Sequence, residues 1–207
     1  MMFTGLLMAA SVASSTPDIQ TYDAKDYSSD ITQCDVLISH PDDPYKIGPG
    51  VKRRDADLPA AVTACERAVK ADPKNPRLNY QLARAYGYSG MGEKAYPYRE
   101  LAVKAGYPQS LFVIGYITLM GINKQPQDTC KGGDLIRRSA KVGRFAGQVG
   151  FPYYWLEGKF AQCKFDVTKE ELLDYVTNGH ANADGDFYKE TLVDLLKKDI
   201  VEHFEKP

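Results

Sequence analysis

The stretch Leu82-Ala83-Arg84-Ala85-Tyr86 lies between two copies of one helical ending, Ala68-Val69-Lys70-Ala71-Asp72-Pro73 before it and Ala102-Val103-Lys104-Ala105-Gly106-Tyr107-Pro108 after it. The Ala-Val-Lys-Ala tetrad returns after 102 − 68 = 34 residues. A fixed period of that size marks stacked helical hairpins, because a single hairpin cannot bury its apolar face without a neighbour. The expected fold class is therefore all-α: an α-α superhelix, or solenoid, of three to four helical hairpins with a C-terminal capping helix. Such arrays usually hold other molecules instead of transforming them, which makes protein or peptide binding the expected mode of action.

Outward from this centre the helical signals continue. Asp57 can cap a helix with Pro59 in its first turn, and Ala61, Ala64, Cys65, Ala68 and Val69 follow at helical spacing until Asp72-Pro73 stops it. Pro76 opens the next helix, with Leu82, Ala83 and Tyr86 on one face. Residues 93–105 form its antiparallel partner, ended by Gly106. Leu111 to Met120 is almost uninterrupted in apolar character, so contact on several sides is expected. Further helices are expected over Gly133 to Val142 and Phe145 to Leu156. Thr168-Lys169-Glu170-Glu171 fits a capping box at the start of another. Phe187 to Phe204 places Tyr188, Leu192, Leu195, Leu196 and Ile200 on one stripe and reads as the helix that closes the array.

On the pattern Leu82-Ala83-x-x-Tyr86, Gly90, Ala95, Ala102 and Gly106, the chain resembles the Sel-one-like repeat, a relative of the tetratricopeptide repeat. Ile114-Gly115, Gly121 and Gly143 match a second copy in part. Val149-Gly150, Tyr153 and Gly158 supply a third first helix. Thr118 departs from the pattern, standing where an aromatic is usual, and Asp72-Pro73-x-Asn75-Pro76 is closer to the tetratricopeptide turn. The resemblance covers roughly Asp57 to Gly158. It implies a helical superhelix acting as an adaptor or regulator, with exported bacterial members similar to proteins of envelope signalling or assembly.

Before the repeats, residues 1–13 carry no Lys, Arg, Asp or Glu, and the run from Phe3 to Ala10 followed by Ser11-Val12-Ala13 reads as a signal-peptide core and cleavage site. The basic start of such a peptide is missing, and the other reading is a frayed tail. Residues 14–30 read as a flexible lead-in and 31–207 as the helical repeat domain. Pro41, Pro44, Gly48, Pro49 and Gly50 make residues 41–50 a long irregular loop, where function often lies.

Four cysteines, Cys34, Cys65, Cys130 and Cys163, include no Cys-x-x-Cys pair, which argues against zinc or thioredoxin-like chemistry. Equivalent loops of adjacent repeats lie side by side, and the gap of 163 − 130 = 33 residues is close to the period. The expected disulfides are Cys130 with Cys163 and Cys34 with Cys65; in a cytosolic chain all four would be free thiols. A periplasmic or secreted location follows from the oxidised reading. The net charge of −1 over 207 residues gives no field that favours nucleic acid. No later stretch approaches the length of a bilayer span, so no stable membrane insertion of the mature chain is expected.

No catalytic constellation emerges. His40, His180 and His203 lie far apart and lack the two-on-one-face spacing of a zinc hydrolase. Gly87-Tyr88-Ser89-Gly90-Met91-Gly92 has Met91 where a nucleophile elbow needs glycine, and no strand precedes it. Asn182-Ala183-Asp184-Gly185-Asp186 resembles part of a calcium loop, yet His180 and Thr191 stand where carboxylates belong. An ordinary turn with Asp186 as a helix cap is the simpler reading. No cofactor, no metal and no enzymatic activity are expected; an envelope hydrolase or a structural accessory domain of a larger enzyme is the alternative.

The binding surface is expected on the first helix of each hairpin, beside the packed pairs Leu82-Ala83, Ile114-Gly115 and Val149-Gly150. This assigns Tyr80, Arg84, Phe112, Tyr116 and Phe151 to partner contact, with Phe112 and Phe151 read equally well as core. Arg77, one turn earlier, would favour an acidic segment. Aromatic and arginine side chains dominate binding hot spots because they combine large contact area with directed polar tips.

Overall fold

A computed structural model of the chain describes residues 19–206. Residues 1–13, the expected signal peptide, and the first residues of the expected lead-in lie outside them. Among the described residues the regular structure is entirely helical: α1 (Gln33–Ile38), α2 (Leu58–Ala71), α3 (Pro76–Tyr88), α4 (Gly92–Lys104), α5 (Pro108–Met120), α6 (Thr129–Lys141), α7 (Phe145–Leu156), α8 (Lys169–Ala181) and α9 (Phe187–Glu205), with 3₁₀ turns at Ala24–Asp26 and Arg53–Asp55. Consecutive helices pair into an α-α solenoid. Helices α3, α5 and α7 form one layer and α2, α4, α6 and α8 the other, with α9 packed on α7 and α8.

Local chemistry sets these boundaries. Asp57, Asp128 and Asp186 cap α2, α6 and α9 by accepting backbone N–H bonds. Pro76 and Pro108 open α3 and α5, where a missing N–H costs nothing. Thr168 accepts from the Glu171 N–H, but the Glu171 carboxylate turns to Arg137 and Tyr175 instead of completing the box. The complete capping box stands at Thr32 and Asp35. Helices α5 and α6 approach closely at Gly115 and Gly132, where a methyl group on either would collide with the facing helix.

The core has a centre at each end. One joins α1, α2 and α3 around Cys34, Ile38, Cys65, Leu78 and Leu82; the other joins α6 to α9 around Phe151, Phe160, Leu172, Val176 and Ile200. The disulfides Cys34–Cys65 and Cys130–Cys163 both form, the first joining α1 to α2 across 31 residues of chain and the second holding the turn after α7 to α6 across 33.

Two sequence expectations need correction. The described part of the lead-in is packed, with Tyr22 buried against Tyr107 and the Gln20 N–H bonded to the Lys104 carbonyl. Gly106 lets that backbone pass: its φ is 73°, and any side chain there would strike the Gln20 carbonyl. In α9 the buried stripe is Val193, Leu196 and Ile200, while Tyr188, Leu192 and Leu195 face outward. The helix therefore turns its charged and apolar residues differently from a simple polar cap.

Candidate functional site

Helix α3 carries polar side chains at Arg77, Gln81, Arg84 and Tyr88, a stripe at helical spacing. In an open solenoid it would face a partner. Here the chain's own residues 20–51 lie across it as a strap. Arg77 is 3 % exposed and forms an ion pair with Asp35, which is fully buried. Gln81 donates to the Asp35 carboxylate (2.9 Å) and to the Ser39 hydroxyl (3.1 Å). Arg84 donates to the carbonyls of Ile38 and Val51, the latter at 2.7 Å, and its guanidinium stands 4.9 Å over the Tyr88 ring. Buried polar groups are tolerated when partnered in this way.

The strap continues towards the far end of the array. Tyr107 donates to the buried Asp43 carboxylate at 2.6 Å. That contact raises the phenol, whose pKa burial has already pushed well up. Burial dominates at Asp43 too and raises its carboxyl above the usual range. Tyr22, Tyr27, Tyr45, Tyr80 and Tyr107 pack ring against ring around this point. Asp42 then reaches α9, where Lys189 donates to it at 2.8 Å across 147 residues of sequence.

Beyond the strap the same layer is open. Phe112 and Tyr116 stack at 6.4 Å on α5, with Met120 one turn further on the same stripe. On α7, Tyr153 and Tyr154 meet edge to face at 5.3 Å. The two helices join here: a methyl group on Gly150 would touch both the Phe112 and Tyr154 rings. The Tyr154 phenol is raised by burial first and then by the neighbouring Tyr116 and Tyr153 hydroxyls. Tyr116, Met120 and Tyr153 are 37 %, 45 % and 47 % exposed, so this aromatic face is accessible.

Of the residues assigned to partner contact, the structure brings Phe112 and Tyr116 together on the open face. It places Arg77, Tyr80 and Arg84 under the strap, out of reach of a partner while the strap is seated. Phe151 is fully buried, stacked on Phe160 and near Phe165 and Tyr175. The cause is a register difference between hairpins: Gly115 faces α6, the partner helix of its own hairpin, whereas Gly150 faces Phe112 of α5 and Ile136 of α6 in the preceding one, so the two glycine pairs are not equivalent. Tyr153 and Tyr154 take the place that the repeat alignment gave to Phe151. Two tyrosines in succession, one exposed and one half-buried, were the sequence signal.

The segment Asn182–Asp186 is a turn, with Asp184 and Gly185 at positive φ and Asp186 capping α9. No group of three potential metal-ligating side chains comes together among the described residues. No helix among them is long and apolar enough to cross a membrane.

No protein-family model matches the chain, and no curated protein matches it. Among solved structures, the crystal structure of MamA is similar with a TM-score of 0.40 and 16 % sequence identity, over 74 % of this chain and 92 % of that one.

Proposed function

We propose that this is an exported helical-repeat adaptor that binds a segment of another protein on the aromatic face of α5 and α7. The observation that carries this reading is the contrast within one layer. On α3 the polar and aromatic side chains are covered by α1 and the irregular segments that flank it, while on α5 and α7 Tyr116 and Tyr153 stand exposed beside the half-buried Phe112 and Tyr154. The strap thus serves as a built-in example of the ligand that this layer accepts. Adjacent aromatic rings with free hydroxyl tips give large contact area at low entropic cost. Two disulfides, with no free cysteine among the described residues, support a location outside the reducing cytoplasm.

The test is photo-crosslinking in the native host, with a benzophenone amino acid at position 116 or 153 and, as control, at the exposed position 70 on α2. The expected result is a discrete protein adduct from 116 and 153 that is missing from 70. Equal labelling at all three positions, or none at 116 and 153, would dismiss the reading.

A further inference from the structure

Arg144, the N-cap of α7, is 5 % exposed and lies where the strap meets the open aromatic face. The other two arginines buried as deeply are fully engaged, Arg77 by Asp35 and Arg84 by two carbonyls. Arg144 differs. Its Nε is buried with no hydrogen-bond partner, and no carboxylate among the described residues comes into ion-pairing range of its guanidinium. A guanidinium presents five N–H donors in a planar fork that matches a carboxylate, and leaving its buried Nε–H without an acceptor is costly.

The surroundings narrow what it would receive. The two carboxylates that feel its charge are already committed, Asp42 to Lys189 and Asp43 to Tyr107 and the Tyr45 N–H. His40 accepts the Asp42 N–H through Nδ1, so its other ring nitrogen is left as a donor. Burial, followed by the charges of Arg144 and Arg84, lowers the His40 pKa to about 3 and keeps the ring neutral. On its other side Arg144 stands 5.7 Å over the Phe112 ring, the first ring of the open face. Donors thus border directly on apolar aromatic surface. The strap shows the same juxtaposition: Asp43 meets the Tyr107 hydroxyl while Tyr45, two residues on, packs against Tyr22.

We infer that Arg144 receives a carboxylate of the bound protein segment, an acidic side chain followed closely by an aromatic or apolar residue that settles on Phe112, Tyr116 and Tyr154. This rests on the open face being the binding surface, and its test separates the two. Fluorescein-labelled octapeptides, graded by Asp and Glu content with and without a neighbouring aromatic, are titrated by anisotropy into the wild-type protein, Arg144→Met and Arg144→Lys. The wild type should select peptides with an acidic residue near an aromatic one. Arg144→Met should bind them at least about tenfold more weakly, and Arg144→Lys should fall between because an ammonium is a point charge, not a fork. Since Met at 144 can impair folding, the wild-type Arg144 Nε–H resonance is followed in the same titration and should shift on adding acidic peptide.

An unmoved resonance, or undiminished affinity in a folded Arg144→Met protein, overturns the assignment. Free glutamate acting at the same concentration as the peptides overturns it in favour of a small-molecule site. Peptide binding that depends on Tyr116 and Tyr153 without acidic preference overturns the carboxylate site but leaves the groove standing. Absence of any peptide binding, together with absence of crosslinks from 116 and 153, removes both.

Discussion

Replacing Asp35 by Ala should be among the most damaging single changes in this protein. Its carboxylate is fully buried, pairs with Arg77, accepts from Gln81, and accepts from both the backbone N–H (2.8 Å) and the hydroxyl (2.7 Å) of Thr32 at the start of α1. Removing one partner of a buried ion pair costs about 3–5 kcal/mol, because the remaining charge is left uncompensated. A lost cap costs about 1 kcal/mol, and a stranded amide about 1–3 kcal/mol. These groups form one network and do not add independently, so a total of roughly 4–6 kcal/mol is expected. That is a large part of the 5–15 kcal/mol typical of a folded domain. The double change Asp35→Ala/Arg77→Met removes both charges and should recover about 2 kcal/mol or more relative to Asp35→Ala alone. Urea unfolding followed by circular dichroism, with the disulfides intact, measures both. If Asp35→Ala costs less than about 1 kcal/mol, or if adding Arg77→Met destabilises further, the buried pair is not what seats the strap.

Reduction of both disulfides should lower the melting temperature; Cys34–Cys65 closes a ring across 31 residues of separation, for which chain entropy gives about 3–4 kcal/mol, and a thermal midpoint unchanged by reductant would contradict that contribution. His40 is held neutral when folded, its pKa lowered to about 3, so the unfolded state binds the extra proton below its ordinary value near 6.5 and this contribution to stability declines as pH falls from there towards 3. The slope is at most about 1.4 kcal/mol per pH unit, and His40→Asn, which keeps an acceptor for the Asp42 N–H, should flatten the wild-type profile between about pH 4 and 6; superimposable profiles would exclude the effect. Phe151→Ala should cost about 3–5 kcal/mol in chemical denaturation, as expected for emptying a core aromatic site. A surface-like loss below about 1 kcal/mol would restore Phe151 to the binding face.

Much of the architecture could be read from spacing because the tetrad repeat and the glycine and proline stops act locally. The expected helix over Phe145 to Leu156 coincides with α7, and Asp57 caps α2 as its position suggested. The disulfide pairs followed from the near-repeat gap between Cys130 and Cys163 and from the helices flanking Cys34 and Cys65. The strap was not legible, since nothing local distinguishes a polar stripe awaiting a partner from one already covered by a distant part of the chain. Arg77, Gln81 and Arg84 have the same spacing in either case. Only long-range pairing with residues 35–51 decides between them. The open face was half legible: Phe112 and Tyr116 followed from the repeat, whereas Tyr153 and Tyr154 required the turn of α7 about its own axis.

The strap also changes how such a molecule comes apart. In an ordinary solenoid each hairpin touches only its neighbours, so the array can fray from an end, one unit at a time. Here hydrogen bonds between the strap and α3 or the N-cap of α5 span 33 to 64 residues, and Lys189 meets Asp42 across 147. The Lys189–Asp42 pair is partly exposed and weak, so the strong coupling lies among α1, the rest of the strap and α3, and the energetic units of unfolding no longer coincide with the repeats. Folding must bring these distant segments together before their contacts contribute, which slows it relative to a purely local helical array. Slow amide exchange in α3 would then rise and fall with that in α1, two elements separated by a whole helix in sequence behaving as a single cooperative unit.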